Sequence, residues 1–219
     1  MARLAIVDYA LGNLFSIEQA CRHAGLDTVV TADPGDLAAA DAVLLPGVGA
    51  FADAMAALRD RGLVAPLHDL AAAGKPLVGI CLGMQLFMSE SHEFGTHAGL
   101  DLIPGTVERL PSAPGLKVPQ VGWRPVRPPS GAWADPVYDG IDPGTYMYFV
   151  HSYHVRPADP AVVTAVSGFG NIEFCAALRR GNILACQFHP ERSAGPGLRW
   201  YANLARLLAR GELARGAAA

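Results

Sequence analysis

Cys81 sits in Gly79-Ile80-Cys81-Leu82-Gly83, between the apolar run Leu77-Val78-Gly79-Ile80 and the run Met84-Gln85-Leu86-Phe87-Met88. The first run reads as a buried strand and the second as the start of a helix, so the cysteine occupies a glycine-flanked turn of the kind that presents nucleophiles. A helix N-terminus favours thiolate, and the Leu82 amide points to where an oxyanion would form on a carbon attacked by sulfur. Cysteine is also an ordinary small core residue, so the turn alone does not establish chemistry. The second half of the pattern lies far downstream, where the apolar run Ile183-Leu184-Ala185-Cys186-Gln187-Phe188 leads into His189-Pro190-Glu191. If strand geometry persists through that turn, residues two apart share a face. Glu191 can then hold the His189 imidazole in the tautomer that accepts the Cys81 proton.

Other groups fall at the same predicted edge. Pro46-Gly47-Val48-Gly49-Ala50-Phe51 follows a strand, and its glycines let backbone amides approach a ligand, which makes it a candidate second oxyanion donor. Gln85 lies four residues after Cys81, one helical turn along, where its amide could hold a substrate's polar tail. The remaining histidines suggest no metal site: His92 and His97 miss the H-E-x-x-H spacing, and His151 and His154 are expected on opposite faces of one strand. Asp8-Tyr9-Ala10-Leu11-Gly12-Asn13 lacks G-x-G-x-x-G, so no dinucleotide cofactor is expected.

The elements that must position these residues alternate. Leu4–Tyr9 reads as a strand, Asn13–Ala24 as a helix closed by Gly25, and Thr28–Val30 as the next strand. The alternation continues through strand Ala42–Leu45, an alanine-rich helical stretch from Phe51 to Ala73, and the strand before Cys81. This predicts an α/β fold, a mostly parallel twisted sheet covered by helices on both faces, with its ligand site at the strand C-termini. From Gly105 to Ala177 the composition shifts to Pro, Gly, Val and aromatics, which predicts an antiparallel β insertion. Gly197–Arg210 reads as a closing helix. One domain over 1–210 is expected, with 211–219 a frayed tail.

Composition sets the outer bounds. The chain has 219 residues, 51% hydrophobic, enough for one sizeable core. A net charge of -3 with 17% charged residues gives no electrostatic footprint for nucleic acid or an anionic membrane. No apolar run is long enough to span a bilayer and no apolar leader opens the chain, so a cytoplasmic protein is expected. Cys21, Cys81, Cys175 and Cys186 show no C-x-x-C spacing, so three read as packing and one as chemistry.

In these contexts Cys81, His189 and Glu191 resemble the triad of class I glutamine amidotransferases, and the resemblance covers nearly the whole chain. Within that superfamily, several stretches together are similar to the glutaminase-subunit family of imidazole glycerol phosphate synthases. They are Ile6–Tyr9 with Gly12–Leu14, Leu45–Phe51, Gly79–Leu86, Val121–Trp123, Tyr148–Tyr153 and Gln187–Glu191.

The resemblance implies that Cys81 attacks the side-chain amide of glutamine, that the Val48 and Leu82 amides stabilise the oxyanion, and that Gly49, Gln85, Ser152 and Tyr153 bind the substrate. It implies no cofactor. It also implies a heterodimer in which ammonia passes to a (β/α)8 barrel cyclase subunit in histidine biosynthesis, with Asn13, Trp123, Tyr148 and Arg192 near the interface.

The chain departs from the family pattern at Ala10, where glycine is common. It also departs at Gln120-Val121-Gly122-Trp123-Arg124, where His-Met-Gly-Trp-Asn is common, and at Arg192, where lysine is. None of these removes a catalytic group. Val48 stands where a resting loop is expected to face away from the oxyanion. The competing readings are a glutaminase serving another synthase, a free-standing cysteine hydrolase on the same fold, and a binding subunit with a decayed site. An intact Cys-His-Glu set speaks against decay.

Overall fold

The computed structural model describes residues 1–112 and 115–213. In chain order the elements are β1 (Arg3–Val7), α1 (Leu14–His23), β2 (Asp27–Thr31), α2 (Pro34–Ala39), β3 (Ala42–Leu45), α3 (Phe51–Asp60), α4 (Val64–Ala72), β4 (Leu77–Ile80), α5 (Leu82–Leu86) and β5 (Met88–Ser91). There follow β6 (His97–Ala98), β7 (Ile103–Arg109), β8 (Gln120–Pro125), β9 (Tyr146–His151), β10 (Tyr153–Pro157), β11 (Val163–Phe169), β12 (Ile172–Arg180), β13 (Ile183–Cys186) and α6 (Ala194–Ala209).

The main sheet has seven strands in the order β11-β12-β13-β4-β3-β1-β2. Its β2, β1, β3, β4 and β13 strands are parallel, and β11 and β12 extend it antiparallel at one edge. Alternate residues feed two apolar cores, one on each face of the sheet. Leu4, Ile6, Val78, Ile80, Leu184 and Cys186 pack with Ile17 and Cys21 of α1 and with Trp200 and Leu204 of α6. Ala5, Val7, Leu77, Ile183 and Ala185 pack with Leu37 of α2, Phe51 and Met55 of α3 and Leu67 of α4.

The helices start and stop for local reasons. The Asp33 side chain accepts from the Gly35 and Asp36 amides while Pro34 opens α2, a short helix absent from the sequence reading. The single helix expected over Phe51–Ala73 is two, broken where Gly62 takes φ +65° and the Leu63 amide turns back to the Leu58 carbonyl. The helix expected to continue through Met88 ends at Leu86, and Met88 instead begins β5.

The expected antiparallel insertion therefore begins earlier than Gly105 and is mixed, since β5 pairs β7 in parallel while β5–β6, β7–β10 and β8–β9 are antiparallel. A four-stranded sheet, β10-β7-β5-β6, stands beside the two-stranded β8-β9 ribbon. The part of the expected insertion in β11 and β12 belongs to the main sheet, because its apolar positions pair with β13. His151 and His154 lie on two strands rather than opposite faces of one, and both rings lie against Phe174, at 5.2 and 6.0 Å between centroids. At the C-terminal end Leu213 is buried in the α6 core, and 214–219 of the expected tail lie outside the described residues.

Candidate active site

Cys81 follows β4 at φ 55° and ψ -108°, a left-handed conformation that costs a non-glycine residue on the order of 1–3 kcal/mol. What compels it is close packing on both sides. A Cβ on Gly83 would collide with the Leu45 carbonyl, and one on Gly79 would meet the Phe87 ring, so strand and helix can approach only with glycines flanking the cysteine. The Cys81 amide donates to the Cys186 carbonyl at 2.8 Å, which ties the turn to the end of β13. As the first residues of α5, Leu82 and Gly83 present amides with no intrahelical acceptor.

Beyond Cys186 the strand alternation runs on for three residues. Cys186 and Phe188 enter the α1–α6 core, whereas Gln187 and His189 turn to the sulfur's side. The Pro190–Arg192 stretch is a 3-10 turn, so the carboxylate reaches the imidazole by helical return and not by strand alternation. His189 Nδ1 and Glu191 Oε1 are 2.7 Å apart, with the carboxylate wholly shut from solvent. Burial pulls the imidazole's pKa down, but the Cys81 sulfur's charge and hydrogen bonding to Cys81 and Glu191 outweigh it and push the pKa up to about 10. Nε2, the ring nitrogen away from Glu191, is buried with no hydrogen-bond partner among the described residues. The arrangement sets a cysteine sulfur beside an imidazole that a buried carboxylate orients, the layout in which a thiol can pass its proton to the ring and act as a nucleophile.

Cys21, Cys175 and Cys186 are buried, and burial above all drives each thiol's pKa well up, so these sulfurs stay protonated. A cleft of about 260 Å³ opens over Cys81, lined by Val48, Gly49, Leu82, Gln85, Glu93, Ser152, Tyr153 and His189 among others. The substrate and oxyanion residues expected from the sequence are thus brought together.

Their polar groups are partly engaged already. Gln85 Nε2 donates to the Tyr153 carbonyl at 2.9 Å and to Gln187 Oε1 at 3.0 Å, so its amide nitrogen is engaged within the protein. The Tyr153 carbonyl also takes His151 Nδ1 at 2.9 Å, and the Ser152 carbonyl takes the Leu110 amide at 2.8 Å.

The Pro46–Phe51 loop is clamped at both ends. The Tyr9 hydroxyl donates to the Pro46 carbonyl at 2.6 Å, and the Phe51 amide donates to Glu93 Oε2 at 2.6 Å. Val48 lies between these clamps, 41% exposed, with Gly49 at φ +100°. Glu93 is a residue that sequence reasoning missed. It lies in the β5–β6 connection, and only the fold carries it to the cleft. Ala10, where the family carries glycine, has φ 72° and is braced by the Asp8 carboxylate accepting its amide at 3.0 Å.

Three of the four residues expected near an interface, Trp123, Tyr148 and Arg192, also converge. The Arg192 guanidinium lies 4.5 Å over the Tyr148 ring, and Trp123 packs edge-on against the same ring at 6.1 Å. The Tyr148 carbonyl accepts the His189 amide at 2.9 Å, so this exposed cluster is one hydrogen bond from the imidazole's own backbone. Asn13 precedes α1 with its side chain exposed and uncapped.

A cysteine elbow paired with a His-Glu couple on a parallel sheet defines a glutaminase-type α/β domain. The chain belongs to the glutamine amidotransferase class-I family, whose model matches residues 5–205. More narrowly, it aligns with imidazole glycerol phosphate synthase subunit HisH proteins. It is 49% identical to that of Moorella thermoacetica over 95% of this chain and 96% of that one. It is 48% identical to that of Rhodopirellula baltica over 90% and 93%.

Solved structures show the same fold at low identity. PurLQS from Thermotoga maritima superposes with a TM-score of 0.72 at 17% identity, covering 95% of this chain and 100% of that one. The glutaminase domain of Trypanosoma brucei CTPS does so with a TM-score of 0.64 at 19%, covering 96% and 94%.

Proposed function

We propose that this protein, a single amidotransferase unit over 1–210, hydrolyses glutamine and delivers the ammonia to a (β/α)8 barrel cyclase, as the glutaminase half of imidazole glycerol phosphate synthase. The observation that carries the proposal is the His189–Glu191 couple at 2.7 Å facing a strained cysteine elbow, in a chain about half identical to HisH subunits.

The Cys81 thiolate attacks the side-chain amide carbon of glutamine, and the Leu82 and Val48 amides receive the developing oxyanion. His189, as imidazolium, gives its proton to the leaving nitrogen, so ammonia departs and a glutamyl thioester remains. Water then gives a proton to His189 and attacks the thioester, which returns the thiolate and releases glutamate. Glu191 keeps the imidazole in the required tautomer throughout.

Gly49, Gln85, Ser152 and Tyr153 shape the glutamine site. The Glu93 carboxylate at its rim is complementary to the substrate's α-ammonium group. Asn13, Trp123, Tyr148 and Arg192 form part of the partner surface, and exposed Trp123 is suited to an interface core. Among the described residues no helix is long and apolar enough to cross a membrane. We infer a cytoplasmic location from the biosynthetic role and from four free cysteines.

The test is co-expression with a (β/α)8 barrel cyclase, followed by assay of imidazole glycerol phosphate formation with glutamine or with ammonium salt as nitrogen source. Activity from glutamine only when both chains are present is the expected result. No glutamine-dependent product from a pair that still uses ammonium would overturn the proposal.

A further inference from the structure

The end of β13 sends two side chains toward Cys81, and the mechanism above uses only His189. Gln187 is the other. It has no solvent exposure, its backbone amide is fixed to the Ala176 carbonyl at 2.8 Å, and the residue before it holds the Cys81 amide. Its side chain therefore has a set direction. Gln187 Nε2 lies 3.5 Å from Cys81 Sγ, and its Oε1 accepts from Gln85 Nε2 at 3.0 Å.

A buried amide here is costly unless both of its ends are bonded, and an aliphatic side chain would fill the same space at lower cost. The choice makes physical sense if the sulfur is charged, because an amide N–H donates weakly to a neutral thiol and well to a thiolate. The other titratable groups around Cys81 among the described residues are Tyr9 from the end of β1, Cys186 from β13 and His189, with Glu93, His151 and Tyr153 lining the same cleft. The Tyr9 hydroxyl donates a hydrogen bond to the Pro46 carbonyl, and the Cys186 thiol lies toward the Phe188 carbonyl, so neither serves the sulfur.

We propose that Gln187 is a positioning residue for Cys81, its Nε2 holding the thiolate toward the cleft while its Oε1 holds Gln85 at the substrate's edge. One amide thereby links nucleophile and substrate wall in a single chain: Cys81 Sγ, Gln187, Gln85, the Tyr153 carbonyl and His151. The sulfur also lies 3.9 Å from the Val150 carbonyl, and the Gln187 amide is the side-chain donor that reaches it from the end of β13. This role rests on the glutaminase reading and adds a residue to it.

The experiment uses the complex with the barrel partner and two variants. Gln187→Glu keeps an acceptor for Gln85 but replaces the donor with a second oxygen, and Gln187→Met keeps length while removing both. The rate of Cys81 alkylation by iodoacetamide is followed from pH 5 to pH 10, beside kcat and KM for glutamine and the melting temperature.

In Gln187→Glu, alkylation at neutral pH is expected to fall by about ten-fold or more, with its pH profile displaced upward. Its kcat should fall while KM stays within about two-fold. Gln187→Met should lose kcat and also raise KM, because Gln85 is released. A purely structural role would lower melting temperature in both variants and leave the alkylation profile in place. Native-like alkylation profiles in both variants, in a complex whose native form turns over glutamine, overturn the Gln187 role alone. A native complex that leaves glutamine intact overturns the functional reading and this one with it.

Discussion

His189 Nδ1 lies 2.7 Å from Glu191 Oε1, and the carboxylate that makes this contact has no solvent exposure. Out of water, the pair fixes which imidazole nitrogen carries the proton, leaving Nε2 to work on the sulfur's side. Glu191→Gln keeps the shape but removes the charge, and an amide can present either a donor or an acceptor to Nδ1. We expect glutamine hydrolysis by the complex to fall on the order of 100-fold or more, with KM little changed and ammonium-dependent synthesis intact. Steady-state kinetics with both nitrogen sources check this, and a Glu191→Gln complex retaining near-native kcat would refute the orienting role.

Cys81 combines the chemistry with backbone strain, so its substitutions separate the two. Cys81→Ala should abolish synthesis from glutamine and spare synthesis from ammonium, whereas Cys21→Ala, Cys175→Ala and Cys186→Ala should not abolish either. Cys81→Gly should be equally inactive yet more stable than Cys81→Ala, by about 1 kcal/mol, because glycine adopts φ 55° without steric conflict. Urea unfolding of the two inactive variants measures the difference. Equal midpoints would show that the elbow stores no strain.

The legible parts of this chain were those that local chemistry dictates. Apolar runs ending at Leu45, Ile80 and Cys186 are continuous because both faces of each strand are buried, and the glycines around Cys81 announce a turn that only close packing requires. Less legible was the carboxylate's approach to the imidazole, which comes through a 3-10 turn that Pro190 opens. Gln85 read only as an amide one helical turn from Cys81, because spacing along a helix says nothing of Tyr153 and Gln187, which reach it from distant parts of the chain. Glu93 gave no signal at all. Its role depends on β5 and β6 carrying a loop back to the start of α3, a pairing that no local pattern encodes.

Glu93 both caps the α3 amide at Phe51 and lines the cleft, so its two roles should part company under substitution. Glu93→Gln preserves an oxygen for the amide and removes the charge. We expect KM for glutamine to rise by about ten-fold or more, since a charge-assisted contact to an ammonium group is worth on the order of 1.5–3 kcal/mol, with kcat changed much less. Glu93→Ala should also loosen the loop and depress kcat. Kinetics in which Glu93→Gln leaves KM at the native value would remove the carboxylate from substrate recognition.

His151 gives the fold a defined sensitivity to acid. Burial first, with repulsion from His154 and His189, outweighs its bond to the Tyr153 carbonyl and lowers its pKa from 6.5 to about 4. The unfolded chain takes up this proton near pH 6.5 and the folded one only near pH 4. The associated stability is thus complete above pH 6.5, falls as pH drops through that window, and is constant below it. The gap corresponds to about 3 kcal/mol. Melting temperatures measured from pH 7 to pH 4 should therefore fall more steeply for the native chain than for His151→Gln. Parallel curves would mean that His151 is protonated in the fold without penalty.

Val48 sits within a loop whose ends are held by Tyr9 and Glu93, so any change of state is confined to the four residues from Gly47 to Ala50. Gly47 is packed against the Tyr9 hydroxyl and Leu82, and Gly49 already has φ +100° with open space around it, which leaves Gly49 as the residue free to absorb a turn of the peptide. We expect the resting loop to aim the Val48 amide away from the oxyanion, held there by a valine that resists positive φ. Losing one oxyanion donor costs on the order of 100-fold in rate, so the isolated subunit should hydrolyse glutamine slowly. It should accelerate when a nucleotide-loaded partner shifts the loop population. Val48→Gly lowers the cost of the competent state and should raise the isolated subunit's rate by about ten-fold while shrinking the acceleration by the partner. Glutaminase rates for the subunit alone, with partner, and with partner plus nucleotide decide it: a native subunit already as fast alone as in the loaded complex leaves the loop no switching role.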